Sequence, residues 1–180
     1  MKQCECVFHS SFVNGIKFFY EKPELVLEVG LKGALNTLEC AKELNIETFI
    51  MASSSEIYNE PTKVPTDEKE RAIIPDVKNP RFSYASGKLI SEILTLNYLR
   101  DSNIKDLIFR PHNIFGPNMG FEHVIPDIIK KIFLSSNKFK DKECSIQIQG
   151  NGEETRAFCY IKEAIDQLVY ILNYGSKGEI

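Results

Sequence analysis

Arg81-Phe82-Ser83-Tyr84-Ala85-Ser86-Gly87-Lys88-Leu89-Ile90-Ser91-Glu92-Ile93 is the stretch from which the rest of the chain can be read. Apolar residues recur at Leu89, Ile93 and Leu96, with Ile90 and Leu94 beside them, so the segment predicts a helix with one apolar side. Tyr84 and Lys88 stand four residues apart, which on a helix puts them on one face with Cβ atoms about 5–6 Å apart. An ammonium at that distance stabilises a phenolate and lowers the phenol's pKa. Free tyrosine titrates near pH ~10, too high for a base at neutrality, so a neighbouring cation gives the pair a chemical purpose. The spacing by itself is common, and an exposed helix can carry it as a surface pair.

The segment upstream narrows the choice. Thr48-Phe49-Ile50-Met51-Ala52 reads as a short buried strand that runs into Ser53-Ser54-Ser55-Glu56. In an open α/β sheet, chemistry sits just past the carboxyl ends of strands. A strand ending in hydroxyls, followed by a Tyr/Lys helix, resembles the short-chain dehydrogenase/reductase superfamily. More narrowly, it resembles the extended, nucleotide-sugar branch that holds epimerases, 4,6-dehydratases and decarboxylases. Arg110-Pro-His-Asn-Ile-Phe-Gly-Pro117, His123-Val-Ile-Pro126 and Gly150-Asn-Gly-Glu-Glu-Thr-Arg-Ala-Phe-Cys-Tyr-Ile161 match the same branch in the same order. The resemblance covers nearly all of the chain.

That resemblance implies an α/β fold, part of a doubly wound, Rossmann-type parallel sheet with the start of a small substrate-binding lobe. It implies NAD as cofactor, a nucleotide-linked sugar as substrate and a cytoplasmic homodimer as the complete enzyme. Tyr84 would take a proton from a sugar hydroxyl, Lys88 would bind the nicotinamide ribose, and Ser54 would bond both the sugar oxygen and the tyrosine. Ser10, Ser11 and Pro111 would line the cofactor beside Tyr84 and Lys88. Asn14, Asn113 and Arg156 would join Ser54 on the substrate, since an amide and a guanidinium can bond a pyrophosphate. Apart from the resemblance, Asn113 reads as a turn residue and Arg156 as a surface charge. Glu56 separates the reactions: dehydratases and decarboxylases carry a hydroxyl-x-Glu pattern like Ser54-Ser55-Glu56, and simple 4-epimerases carry no acid there. A carboxylate at that place can take a C5 proton after oxidation at C4. Its other reading is a loop carboxylate bonded to backbone amides. The pattern favours 4,6-dehydration, with 4-epimerisation or decarboxylation as alternatives and an inactive fragment as the alternative outside enzymes.

Composition is that of a globular chain: 180 residues, 43% hydrophobic and 26% charged. A net charge of −3 argues against a general nucleic-acid binder. Lys130, Lys131, Lys138, Lys140 and Lys142 cluster, but Asp141 and Glu143 interrupt them, as in a solvated segment. Five scattered cysteines, Cys4, Cys6, Cys40, Cys144 and Cys159, lack Cys-x-x-Cys spacing and predict reduced, mostly buried thiols and no metal. No apolar run reaches the ~18 residues of a membrane span.

In chain order, Cys4 to His9 reads as a strand with His9 bonded to backbone at its end. Pro23 to Asn45 reads as a long helix with a stripe at Val26, Val29, Gly33, Leu38 and Ala41. Pro61, Pro65, Pro75 and Pro80 break the connection to Tyr84. Asp106 to Arg110 reads as a strand, Val124 to Leu134 as a helix, and Cys144 to Gln149 as a half-exposed strand. Phe158 and Tyr160 read as core residues ahead of a helix over Lys162 to Tyr174, apolar at Ala164, Ile165, Leu168, Val169 and Leu172. A strand begins near Gly178. The chain departs from the resemblance at two places: Ser10-Ser11-Phe12 where related enzymes typically show Leu-Ala-Ala, and Gly30 where they often carry Asn. No Gly-rich strand–turn–helix for a pyrophosphate precedes His9. The expectation is therefore one domain over 1–180, mainly Rossmann in 1–115 and mixed in 116–180, cut from a longer enzyme. Such a piece would be marginally folded and weak in NAD binding by itself.

Overall fold

The computed structural model describes residues 4–138, 145–148 and 150–180. In chain order the elements are β1 (Cys6–His9), α1 (Ile16–Glu21), α2 (Pro23–Leu44), β2 (Thr48–Ala52), α3 (Ser83–Tyr98), β3 (Lys105–Phe109), β4 (Asn113–Phe115), α4 (Val124–Lys138), β5 (Phe158–Tyr160) and α5 (Ile161–Tyr174). Two single 3-10 turns, Ser55–Tyr58 and Pro80–Phe82, flank the proline-rich connection between β2 and α3. Strands β1, β2 and β3 form a parallel sheet in that order, with Phe8 opposite Ile50 and Ile50 opposite Leu107. A parallel pair needs a long crossover, and helices supply it. The result is an α/β fold of parallel sheets.

All five residues of β2 are buried, as expected of a strand covered on both faces. Phe49 and Met51 point to one side, where Ala34, Leu38 and Ala41 of α2 join Leu99, Ile104 and Ile108 in the main core. On the other side α5 ends against β3, where Lys105 Nζ donates to the Leu172 carbonyl at 2.8 Å. Residues 178–179 then run beside β3: Gly178 N donates to Asp106 O and Ile108 N to Glu179 O, and Leu107 bridges Glu179 in parallel. The strand start expected near Gly178 is this bridge. Helix α2 carries Pro in its first turn and closes on Asn45 at φ 46°, whose N–H returns to Ala41 O.

Several helix faces differ from the apolar stripes of the sequence. In α2 the buried side is Val26, Gly30, Ala34, Leu38 and Ala41, and Val29 is exposed. In α3 the inversion is larger. Its buried residues are Ser83, Tyr84, Ala85, Gly87, Lys88, Ser91, Glu92 and Thr95, whereas Ile90 and Ile93 face outward. The cause is close approach to α2, which small residues permit. Ser91 Oγ donates to Gly87 O and Thr95 Oγ1 to Ser91 O, both at 2.8 Å, so these two buried hydroxyls are satisfied within their own helix, whereas the buried Ser83 Oγ has no hydrogen-bond partner among the described residues. In α5 only Ala164 is buried, and Ile165 and Val169 are exposed.

Other expectations change as well. Ser145 to Ile148 has no regular structure, and Cys144 and Gln149 lie outside the described residues, as do Lys140 and Lys142. Phe158 and Tyr160 are exposed rather than core, each in ring contact with Phe115 on the small β4–β5 sheet. Among the described cysteines none is buried: Cys4 and Cys40 are exposed, Cys6 and Cys159 half-buried. His9 is buried and stacked on Phe49, but its Nε2 has no hydrogen-bond partner. No described helix is long and apolar enough to cross a membrane.

Candidate active site

The site lies past the carboxyl ends of β2 and β3. The backbone leaving β2 stays paired with the backbone leaving β3: Ser53 N donates to Phe109 O at 2.8 Å and Ser55 N to Pro111 O at 3.0 Å. This fixes Ser54, whose side chain caps the next turn by accepting from Glu56 N at 3.2 Å. Ser54 and Tyr84 share a hydrogen bond, and the Glu56 charge acts on the same phenol. Glu56 in turn accepts from Arg81 Nη1 at 3.1 Å, with both side chains half-buried. Ser54, Glu56, Arg81 and Tyr84 thus form one polar cluster from the end of β2 and the start of α3.

Lys88 behaves differently from the sequence expectation. It is 2% exposed, and its Nζ donates to Ala52 O at 2.5 Å, at the last residue of β2. The same nitrogen sits 4.6 Å from the centre of the Phe12 ring and 5.7 Å from that of Tyr84. Burial pulls its pKa down to about 8. The phenol of Tyr84 is not lowered by Lys88. Burial first, then the Glu56 carboxylate, push it up to about 12, against the smaller opposite pull of the Ser54 hydrogen bond. An ammonium already bonded to a carbonyl and capped by an aromatic face leaves the phenol protonated.

Two side chains frame this cluster without belonging to the sequence-derived set. Arg110, from the end of β3, forks onto Glu92 of α3: Nε to Oε1 at 2.8 Å and Nη2 to Oε2 at 2.6 Å. Its Nη1 also donates to Tyr58 Oη at 3.0 Å and Glu68 O at 3.1 Å. One guanidinium therefore ties strand, helix, the turn after β2 and the proline-rich loop together. Phe12 is the other: it turns inward from the segment between β1 and α1 and meets Tyr84 edge-on at 5.3 Å. Its contacts include Gly30, so the two departures from the family pattern touch each other.

The remaining candidates lie around this centre. Ser10 and Ser11 are exposed just after β1. Asn14 is exposed, its Oδ1 accepting from Gly15 N at 2.7 Å. Pro111 is half-buried and contributes the carbonyl that holds Ser55. Asn113 and Arg156 come together on the β4–β5 side: Asn113 Nδ2 donates to Ala157 O at 3.0 Å, and the exposed Arg156 donates to Thr155 O at 2.6 Å. Neither has a hydrogen bond to the Tyr84 cluster. Arg81 was visible in the sequence beside Asn79-Pro80, and its three-residue distance from Tyr84 was the usable signal. Phe12 had its own signal as a bulky residue after two serines.

The cofactor that the resemblance implies is met by a fitting donor set at the Lys88–Tyr84 end: a buried ammonium, a phenol and a serine hydroxyl past a strand end. The Phe12 ring fills part of that space.

Comparison with known proteins identifies the family. A family model described as "NAD dependent epimerase/dehydratase family" matches residues 1–180. UDP-N-acetyl-alpha-D-glucosaminuronate decarboxylase of Bacillus cytotoxicus is 28% identical over 183 residues, covering 100% of this chain and 54% of that protein. Human dTDP-D-glucose 4,6-dehydratase is 29% identical over 170 residues, covering 94% and 42%. Among solved structures, UDP-glucuronic acid 4-epimerase of Bacillus cereus, in complex with UDP-glucuronic acid and NAD, superposes with a TM-score of 0.79 at 24% identity, over 97% of this chain and 52% of that one. The chain thus spans about half the length of the relatives it matches. With the Ser54–Tyr84–Lys88 arrangement and a family match over its full length, the chain belongs to the NAD-dependent epimerase/dehydratase family.

Proposed function

We propose that this chain carries the catalytic cluster of a nucleotide-sugar 4,6-dehydratase. The observation that supports it is the place of Glu56, close enough to Tyr84 to act on its phenol and held by Arg81. Lys88 and Tyr84 would hold the nicotinamide ribose of NAD, which when bound would supply reversible hydride acceptance for the sugar. Ser54 would orient the C4 oxygen, and Tyr84 would receive the C4 hydroxyl proton as a phenolate, which requires it first to give up the proton that burial and the Glu56 charge hold on it in this structure. Glu56, kept in place by Arg81, would remove the C5 proton once C4 is a ketone and pass it to the C6 hydroxyl, which leaves as water. Reduction at C6 would be matched by a proton returned to C5, equivalent to the one taken from the C4 hydroxyl. Asn113 and Arg156 lie on a separate exposed edge suited to the substrate's pyrophosphate. We assign 1–115 to the Rossmann part and 116–180 to mixed and substrate-lobe segments. In the complete enzyme, a cytoplasmic homodimer would cover Ile90 and Ile93 on the outer face of α3.

Decarboxylation is the second reading, favoured by the same Glu56 and by the Bacillus decarboxylase relative. The experiment is incubation with NAD and either a nucleoside diphosphate hexose or the corresponding uronic acid, followed by mass analysis. Loss of water from the hexose supports dehydration. Loss of carbon dioxide from the uronic acid supports the second reading, and epimer formation alone removes Glu56 from the mechanism. Tyr84→Phe should lower turnover at least about 10²-fold. Glu56→Gln should leave C4 oxidation detectable while abolishing water loss.

A further inference from the structure

Phe12 lies between two helices at points where neither carries a side chain. A Cβ on Gly30 of α2 would stand 2.1 Å from Phe12 Cζ, and one on Gly87 of α3 would stand 2.6 Å from it. Non-bonded carbons rest about 3.5–4.0 Å apart, so the ring sits where it does only because both positions are glycine. A glycine inside a helix costs roughly 1 kcal/mol against alanine, and here two neighbouring helices bear that cost at the same ring. The ring also lies edge-on to Tyr84 at 5.3 Å and under Lys88 Nζ at 4.6 Å. An ammonium has three donors. For Lys88 one goes to Ala52 O, and the Phe12 face shields the nitrogen from another direction. The place is the crevice beyond the carboxyl ends of β1 and β2, where open parallel sheets take their ligands.

We propose that Phe12 is a gate on the cofactor end of the site: its ring occupies the space at Lys88 that the ribose of a nicotinamide nucleotide must enter, and binding requires the ring to swing out. The inference rests on the NAD reading above and adds a named residue that opposes it. The segment 10–15 that carries Phe12 has no regular structure and ends at Gly15 with φ 123°, so neither helix nor sheet hydrogen bonds hold the ring in place. With the ring in, Lys88 is committed to Ala52 O and Phe12. With it out, the path from Lys88 to Tyr84 opens. A ligand that binds only the open state has its affinity reduced by the fraction of time that state is populated.

The test is titration calorimetry of the 180-residue chain, Phe12→Ala and Gly30→Ala with nicotinamide mononucleotide and, separately, AMP, which lacks the nicotinamide end. Phe12→Ala should bind nicotinamide mononucleotide at least about tenfold more tightly than the parent, with AMP unchanged. Gly30→Ala keeps Phe12, pushes the ring from the other side and improves helix propensity. It should shift affinity in the same direction and covers the case in which Phe12→Ala folds poorly. Equal affinity in parent and variants, an equal gain for AMP, or no binding by any of the three overturns the gate. The product assays with Tyr84→Phe and Glu56→Gln stand apart from this titration, so the gate can fail while the dehydratase reading survives, and the reverse.

Discussion

Strands β2 and β5 both run parallel to their partners, but they hold their residues in opposite conditions. Every residue of β2 is buried, and its end places Ser54 under Tyr84. Of the three residues of β5 two are exposed, and the nearby exposed Arg156 donates to its neighbour's carbonyl, Thr155 O. The proposed reacting groups are thus carried by the buried part of the molecule, and the proposed pyrophosphate contacts by an exposed edge. Catalytic geometry must be held closely, because an error of about 1 Å can lose 10²-fold in rate. A flexible, charged diphosphate tolerates a softer receptor.

Removing the tie inside the buried part should have the largest effect. Glu92→Ala leaves the Arg110 guanidinium buried without its carboxylate, since the two side chains are 3% and 10% exposed. Breaking one half of such a pair is expected to destabilise by about 3–5 kcal/mol, read as a drop in the denaturant midpoint. A drop below about 1 kcal/mol would show that β3 and α3 are held by apolar packing instead.

Lys88 gives the next effect, through pH. In the unfolded chain a lysine keeps its proton to about pH 10.4, whereas burial lowers the folded value to about 8. Between those values the unfolded chain binds more protons, so stability rises with pH. Tyr84, pushed up to about 12, opposes this only above pH ~10, where the unfolded chain has lost a phenolic proton that the folded chain keeps. From pH ~8 to ~10 the parent should gain on the order of 1–2 kcal/mol relative to Lys88→Met. A parent that tracks the variant across this range would mean that water reaches Lys88.

The smallest effects belong to the exposed edge. Asn113→Ala and Arg156→Ala should each change folding stability by no more than about 0.5 kcal/mol, while raising the substrate KM if the pyrophosphate assignment holds. A large stability loss in either would erase the contrast between the two regions.

What the sequence made legible was local. The run Thr48–Ala52 with its terminal serines, and the four-residue step from Tyr84 to Lys88, are contained in short windows, and the strand and helix form where they were expected. The buried side of α3 was not legible. Apolar periodicity points to Ile90 and Ile93, but the helix turns Gly87, Ser91 and Thr95 inward because a second helix lies against them. The partner of Glu92 is 18 residues away on another element. The gate was harder still: Phe12, Gly30 and Gly87 are separated widely along the chain, and nothing in one sequence says that they meet. Knowing that Lys88 follows Tyr84 at helical spacing also did not reveal that its nitrogen turns to Ala52.

The returning segment after α5 has a consequence for how the molecule assembles. Lys177 Nζ donates to Leu99 O and Ile104 O across sequence separations of 78 and 73 residues, and Glu179 pairs beside Leu107. Contacts of such long range form only after a large loop has closed. On a ribosome, emerging β3 would therefore leave Leu107 uncovered until residues 175–180 appear, about 70 residues later, an exposure of apolar surface during synthesis. Lys177→Ala should then lower the yield of chaperone-free cotranslational folding more than it shifts the equilibrium melt of the folded 180-residue chain.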